Sequence, residues 1–208
     1  MELHRPPKTA VAFGAMALCV GLLAACGDSA VPEPSPTPAT SSESTAADPA
    51  SDYTIPPPPE NVYKPDEPDL SVIDLESAYQ LARYYLDLYP YVKATGDATE
   101  WDKYAHPECE YCATVLDEAE IDIESGSWSE VSLGVEDTAW FSVDGNVDYR
   151  IDFLVSRSEY KTYHSETADS IAPAEHAVII GVSVENDALL VKTFDVLDES
   201  YFGSVELP

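Results

Sequence analysis

Val147-Asp148-Tyr149-Arg150-Ile151-Asp152-Phe153-Leu154-Val155-Ser156 decides the fold class of this 208-residue chain. Val147, Tyr149, Ile151, Phe153 and Val155 alternate with Asp148, Arg150, Asp152 and Ser156, the period of two that belongs to a strand with one buried face. Apart from Leu154, the second face reads as wet. Similar runs over 128–133, 138–143, 177–184 and 189–196 are rich in β-branched and aromatic residues and read as further strands. Asp144-Gly145 and Glu185-Asn186-Asp187 mark hairpin turns between neighbours.

Upstream of residue 126 the period changes. Ala78, Leu81, Ala82, Tyr85, Leu86 and Tyr89 recur at helical spacing, so 75–91 reads as an amphipathic helix with an aromatic face, kinked or shortened by Pro90. Ala94-Thr95-Gly96-Asp97 is its exit. Thr99 then caps a short helix reaching Tyr104, and His106-Pro107 opens a third that stops at Gly126. Helices first and an antiparallel meander after them give an α+β domain over residues 70–208, with the helices on one face of the sheet.

Residues 26–69 have a different composition. Pro32, Pro34, Pro36 and Pro38, a Ser/Thr tract over 40–45, Pro56 to Pro59, Pro65 and Pro68 leave few aliphatic side chains to offset ordering entropy. The stretch reads as a disordered acidic tether that spans on the order of 100 Å when extended. Before it, His4, Arg5 and Lys8 precede an apolar run that ends in Leu23-Ala24-Ala25-Cys26. That is the layout of a secretory signal over residues 1–25, and the run is shorter than the ~20 residues a spanning helix needs.

The chain carries 39 acidic and 10 basic residues, a formal charge of −29. Without residues 1–25 it keeps 38 acids (39 less Glu2) and 8 bases (10 less Arg5 and Lys8). Such a surface repels nucleic acid and anionic headgroups, which argues against a polyanion-binding role and leaves cations or cationic partners open.

Leu23-Ala24-Ala25-Cys26 resembles the lipobox of bacterial lipoproteins. The resemblance implies that Cys26 receives a diacylglycerol, becomes the first mature residue and holds the chain to the outer face of a membrane through the lipid bilayer. The order and lengths of the elements resemble the nuclear-transport-factor-2-like, or cystatin-like, α+β cone, in which a curved sheet wraps a long helix. The lipobox, the Pro/Ser/Thr tether, the helix exit at Ala94-Thr95-Gly96-Asp97 and Pro107-Glu108-Cys109-Glu110-Tyr111-Cys112 together resemble a family of uncharacterised lipoproteins from high-GC Gram-positive bacteria. That resemblance covers most of Ser77 to Gly134 and implies a fold and an address, but no reaction.

Cys109 and Cys112 are the one cysteine pair in the domain, and at i and i+3 of a first helical turn they share a face. Outside the cytoplasm the default is a structural disulfide, and so small a loop contributes about 2 kcal/mol. A redox pair is the alternative, because a helix N-terminus lowers a thiol pKa. Glu108 and Glu110 disfavour the thiolate, and no βαβ unit precedes the pair. Zinc on Cys109, Cys112 and His106 with His164 or His176 lacks a second ligand pair. Asp144, Asn146 and Asp148 fail as a calcium loop, because Tyr149 and Val155 stand where the glycine and the closing acid belong.

Tyr85, Tyr89, Trp101, Tyr104 and Tyr149 supply aromatic groups for a cone pocket, but aromatic stripes at helical spacing belong first to cores. With no Ser/His/Asp order, phosphate loop or nucleophile elbow, no catalytic residue, cofactor or metal site is assigned. Two function classes follow. One is a noncatalytic envelope module that binds a protein, a wall component or a small ligand. The other is an enzyme using a cone pocket, or a thiol-disulfide redox protein using Cys109 and Cys112. A cavity holding a desolvated carboxylate favours catalysis, and a filled cone favours binding.

Overall fold

The computed structural model describes residues 53–165 and 167–204. The signal sequence over 1–25, Cys26 and the tether as far as residue 52 lie outside the described residues. Three helices come first: α1 (Leu75–Thr95), α2 (Thr99–Tyr104) and α3 (Glu110–Ser125). Seven strands follow: β1 (Trp128–Glu130), β2 (Leu133–Ser142), β3 (Tyr149–Arg157), β4 (Tyr160–Tyr163), β5 (Ala168–Ile171), β6 (Ala174–Glu185) and β7 (Ala188–Asp198). The architecture is α+β, as the change of period requires.

α1 is bounded by local chemistry. The Asp74 carboxylate accepts from the Ser77 N–H at 2.8 Å, which satisfies one of the free donors of the first turn. At the other end Gly96 adopts φ 72°, and its N–H closes on the Val92 carbonyl. A side chain at Gly96 would also collide with Ile123, so glycine is required twice over. The helix continues four residues past Tyr91 despite Pro90, with Val92 and Ala94 buried on its last turn.

Ala78, Leu81, Ala82, Tyr85 and Leu86 are wholly buried against the inner face of a four-stranded antiparallel sheet ordered β2-β3-β6-β7. Ile151, Phe153 and Val155 of β3 face Val178, Ile180 and Val182 of β6 in this core. Register shifts at Val135/Asp137 and Gly181/Val182 bend the sheet, which curls around α1 in a cone. The turn at Asn186 and Asp187, both with positive φ, closes β6 on β7 as expected.

The structure departs from the sequence expectation at five places. The run 128–133 is not one strand, because β1 joins a separate three-stranded sheet, β1-β4-β5, while β2 starts at Leu133. β4 and β5 carry no buried face to create a period, and β5 is exposed throughout, so neither was expected. Thr99 does not cap α2. The Asp97 carboxylate does the capping work, accepting the Thr99 N–H at 3.2 Å and hydroxyl at 2.7 Å. α3 opens at Glu110 rather than at Pro107, and Cys109 is its N-cap.

The fifth departure is the outer face of β3, which is not wet. Asp152 is fully buried and takes a bidentate ion pair from Arg150, with both contacts at 2.7 Å. Residues 199–204 fold back over this face. The Gly203 N–H donates to Asp152, and Arg150 donates to the Ser204 carbonyl. Asp152→Ala leaves the Arg150 charge buried without its partner, and we expect a loss of about 3–5 kcal/mol in chemical denaturation. A loss below about 1 kcal/mol would show that this face is solvated after all.

Candidate functional site

The tether expected over 26–69 is shorter at its domain end. Residues 53–69 have no regular secondary structure, yet they lie on the domain. The Trp128 indole N–H donates to the Pro56 carbonyl at 2.8 Å, and Lys64 reaches Asp97 at 3.6 Å while standing over the Tyr91 ring. Glu67 accepts from both Lys103 and Tyr104, and Pro65 is buried. Proline fixes the backbone in an extended form beforehand, so laying this strap down costs less entropy than its composition suggests.

Cys109 and Cys112 are bonded to each other, and both are buried. The Cys109 sulfur also accepts the Cys112 N–H at 3.3 Å, so the pair closes the first turn of α3 and caps it. His106 is held on both ring nitrogens. Nδ1 accepts from the Glu108 N–H, which leaves the proton on Nε2 to meet Glu185 at 2.7 Å. The zinc reading therefore has neither free thiols nor a free His106. Among the described residues, no cluster of three or more His, Cys, Asp or Glu has metal-binding geometry.

The disulfide encloses Tyr111, and Tyr111 forms a wall of the main cavity. Its ring stacks on Phe194 of β7 at 4.7 Å between centroids and 6° between planes. Behind it, Trp101 donates its indole N–H to the Cys112 carbonyl, and Tyr85 stacks on Trp101 at 3.9 Å. α1, α2 and α3 are thus tied together at the point where the cavity begins.

The cavity has a volume of 270 Å³ and lies between α1, α3 and the inner face of the sheet, beside β4 and β5. Leu86, Val155, Val178, Phe194 and Val196 make its interior apolar. The polar residues in its lining are Tyr89, Tyr111, Tyr160, Arg157 and His176. Burial pushes the Tyr89 phenol well above its ordinary range, and hydrogen bonding to Tyr111 and Tyr160 adds to the shift. Burial raises Tyr111 in the same way. These hydroxyls stay protonated and can donate or accept at neutral pH.

Burial also raises the pKa of Asp195. That carboxylate lines the neighbouring groove with Glu108 and Lys192, not the cavity. The cone is consequently neither filled nor equipped with a desolvated carboxylate. Of the aromatics singled out in the sequence, Tyr89 lines the cavity, while Tyr85 and Trp101 support it from within the core. Arg157 and Tyr160 are not singled out by the sequence, and His176 enters there only as a zinc ligand. Arg157 and His176 sit where β3 and β6 alternate in the ordinary way, and Tyr160 belongs to a strand with no periodic signal.

A family model matches residues 48–179, more than half of the chain. The chain belongs to the family of unknown function DUF6318. The DUF6318 match begins before the strap and so takes it in with the helices and most of the sheet. No curated protein matches the chain. Among solved structures, the intermembrane space region of the chloroplast protein ARC6 is similar at a TM-score of 0.44 and 11% identity, over 61% of this chain and 98% of that one. The beta subunit of benzoate 1,2-dioxygenase from Burkholderia mallei is similar at 0.38 and 15%, over 65% of this chain and 98% of that one. At these scores neither carries an argument about what this DUF6318 member does.

The double substitution Cys109→Ser/Cys112→Ser tests the role given to the disulfide. We expect a stability loss of about 2 kcal/mol and faster amide exchange confined to the first turn of α3. Unchanged exchange at residues 110–113 would show that the bond does not hold Tyr111 in place.

Proposed function

We propose that this protein is an extracytoplasmic binding protein, lipid-anchored to the outer face of the cell membrane, with a noncatalytic domain that holds a small ligand in the cavity beneath α1 and α3. The observation that carries this reading is the lining. An apolar interior with a few hydroxyl, imidazole and guanidinium groups orients a ligand, and pockets of this kind are few in any one domain. The acid best suited to proton transfer, Asp195, belongs to the adjoining groove. Redox use of Cys109 and Cys112 is disfavoured by the burial of both sulfurs, which an exchanging thiolate would have to reach.

The anchor half of the proposal rests on Leu23-Ala24-Ala25-Cys26 and the basic, then apolar, sequence before it. With residues 53–69 laid on the domain, residues 26–52 remain as tether and reach at most about 80 Å when extended. No helix among the described residues is long and apolar enough to cross a membrane.

Two results test the proposal. Cys26→Ala should move the protein from the membrane fraction to the soluble one and abolish labelling by a fatty-acid probe. Native mass spectrometry of protein taken from its own cells should show a bound small molecule that is lost on Val178→Trp, which fills the cavity. A membrane-bound Cys26→Ala protein contradicts the anchor, and a wild type without a bound small molecule, or the same adduct retained by Val178→Trp, contradicts the binding role.

A further inference from the structure

The described residues contain eight lysines and arginines. Seven stand within 4.0 Å of a carboxylate: Lys64, Arg83, Lys93, Lys103, Arg150, Lys161 and Lys192. Arg157 has no such partner among the described residues. In a chain with about four acids for every base, partners are abundant, so this exception is informative.

Arg157 is at the end of β3 and lines the cavity. One terminal nitrogen donates to the Ser158 carbonyl at 3.0 Å and the other to the Ala172 carbonyl at 2.8 Å. Two backbone oxygens from opposite sides of the β4-β5 excursion thus hold the guanidinium in place without neutralising it. Guanidinium carries five N–H donors in a planar fork and remains charged at any physiological pH. The donors left over and the whole positive charge are available to a ligand. A carboxylate is the group such a fork matches in shape and charge.

The rest of the cavity restricts what is attached to that carboxylate. Leu86, Val178, Phe194 and Val196 offer no polar partner, so the part of the body that meets them is apolar, while Tyr89, Tyr111, Tyr160 and His176 can meet polar atoms at its margin. At 270 Å³ the cavity lies just below the roughly 300–1,000 Å³ of sites that hold drug-sized ligands, so its ligand is small. The stacked rings of Tyr111 and Phe194 form a flat wall. We infer that the cavity takes a small monocarboxylate with one ring-sized apolar body, its carboxylate on Arg157 and its body between the sheet and Tyr111. The inference rests on the binding role proposed above and adds the charge and size of the ligand.

Phenylacetate and its uncharged isostere phenylacetamide are suitable probes, titrated by calorimetry into the full mature chain. We expect phenylacetate to bind at least tenfold more tightly than the amide. Arg157→Gln should bring phenylacetate down to the level of the amide, whereas Arg157→Lys should keep part of the preference. Equal binding of acid and amide to the wild type, or a preference that survives Arg157→Gln, overturns the carboxylate assignment but leaves the cavity a binding site. Failure of both probes to bind the wild type overturns this inference. If the wild type from its own cells also carries no adduct, or Val178→Trp carries the same one, the binding role falls with it.

Discussion

The burial of α1 against the inner face of the curved sheet is the contact on which the other features depend. Ala78, Leu81, Ala82, Tyr85 and Leu86 leave no accessible surface on that side, and each large aliphatic buried there contributes about 1.5–3 kcal/mol of transfer free energy. Tyr85 extends the contact sideways. It stacks on Trp101 and donates its hydroxyl to the Trp101 carbonyl at 3.0 Å, and Trp101 in turn donates to α3 at Cys112. Three helices are thereby fixed by one fully buried indole. Between α1, α3 and the far end of β3, β6 and β7, no described side chain fills the gap, and the cavity is what remains.

The elements that touch this contact were legible in the sequence, and those that do not were hidden. The helical spacing of α1, its exit at Gly96 and the stop of α3 at Gly126 follow from local rules that the packing reinforces. Tyr149, Ile151, Phe153 and Val155 alternate because one side of β3 meets α1. The other side misled because Arg150 and Asp152 are polar in type yet buried, each neutralising the other beneath residues 199–204. A charged pair under a returning tail leaves the same pattern in the sequence as a wet face. β4 and β5 bury too little to show a period, and the strap reads as linker because it docks through a single proline carbonyl, that of Pro56, and the isolated side chains of Lys64 and Glu67.

Less of the candidate site could be read. Cys109 and Cys112 were visible as a pair at helical spacing, but their link to ligand chemistry runs through Tyr111, which the loop encloses and Phe194 receives. Arg157 had no signal of its own. Its distinction is relational: it lines an apolar cavity, is held by two carbonyls, and lacks the carboxylate that every other described base has found. The acidity of the chain thus matters in two ways. It repels like charge at a distance, and among the described residues it makes one cation without a carboxylate conspicuous.

Everything proposed about binding depends on an open apolar space between Val178, Phe194 and Leu86. Crystals or methyl-labelled solutions of the protein under xenon pressure test that space without assuming a ligand, since xenon enters dry cavities and ignores surfaces. The account predicts xenon density, or methyl shifts, at Leu86, Val155, Val178 and Val196, lost on Val178→Trp. Xenon absent from these methyls, with the side chains closed over the gap, would contradict it.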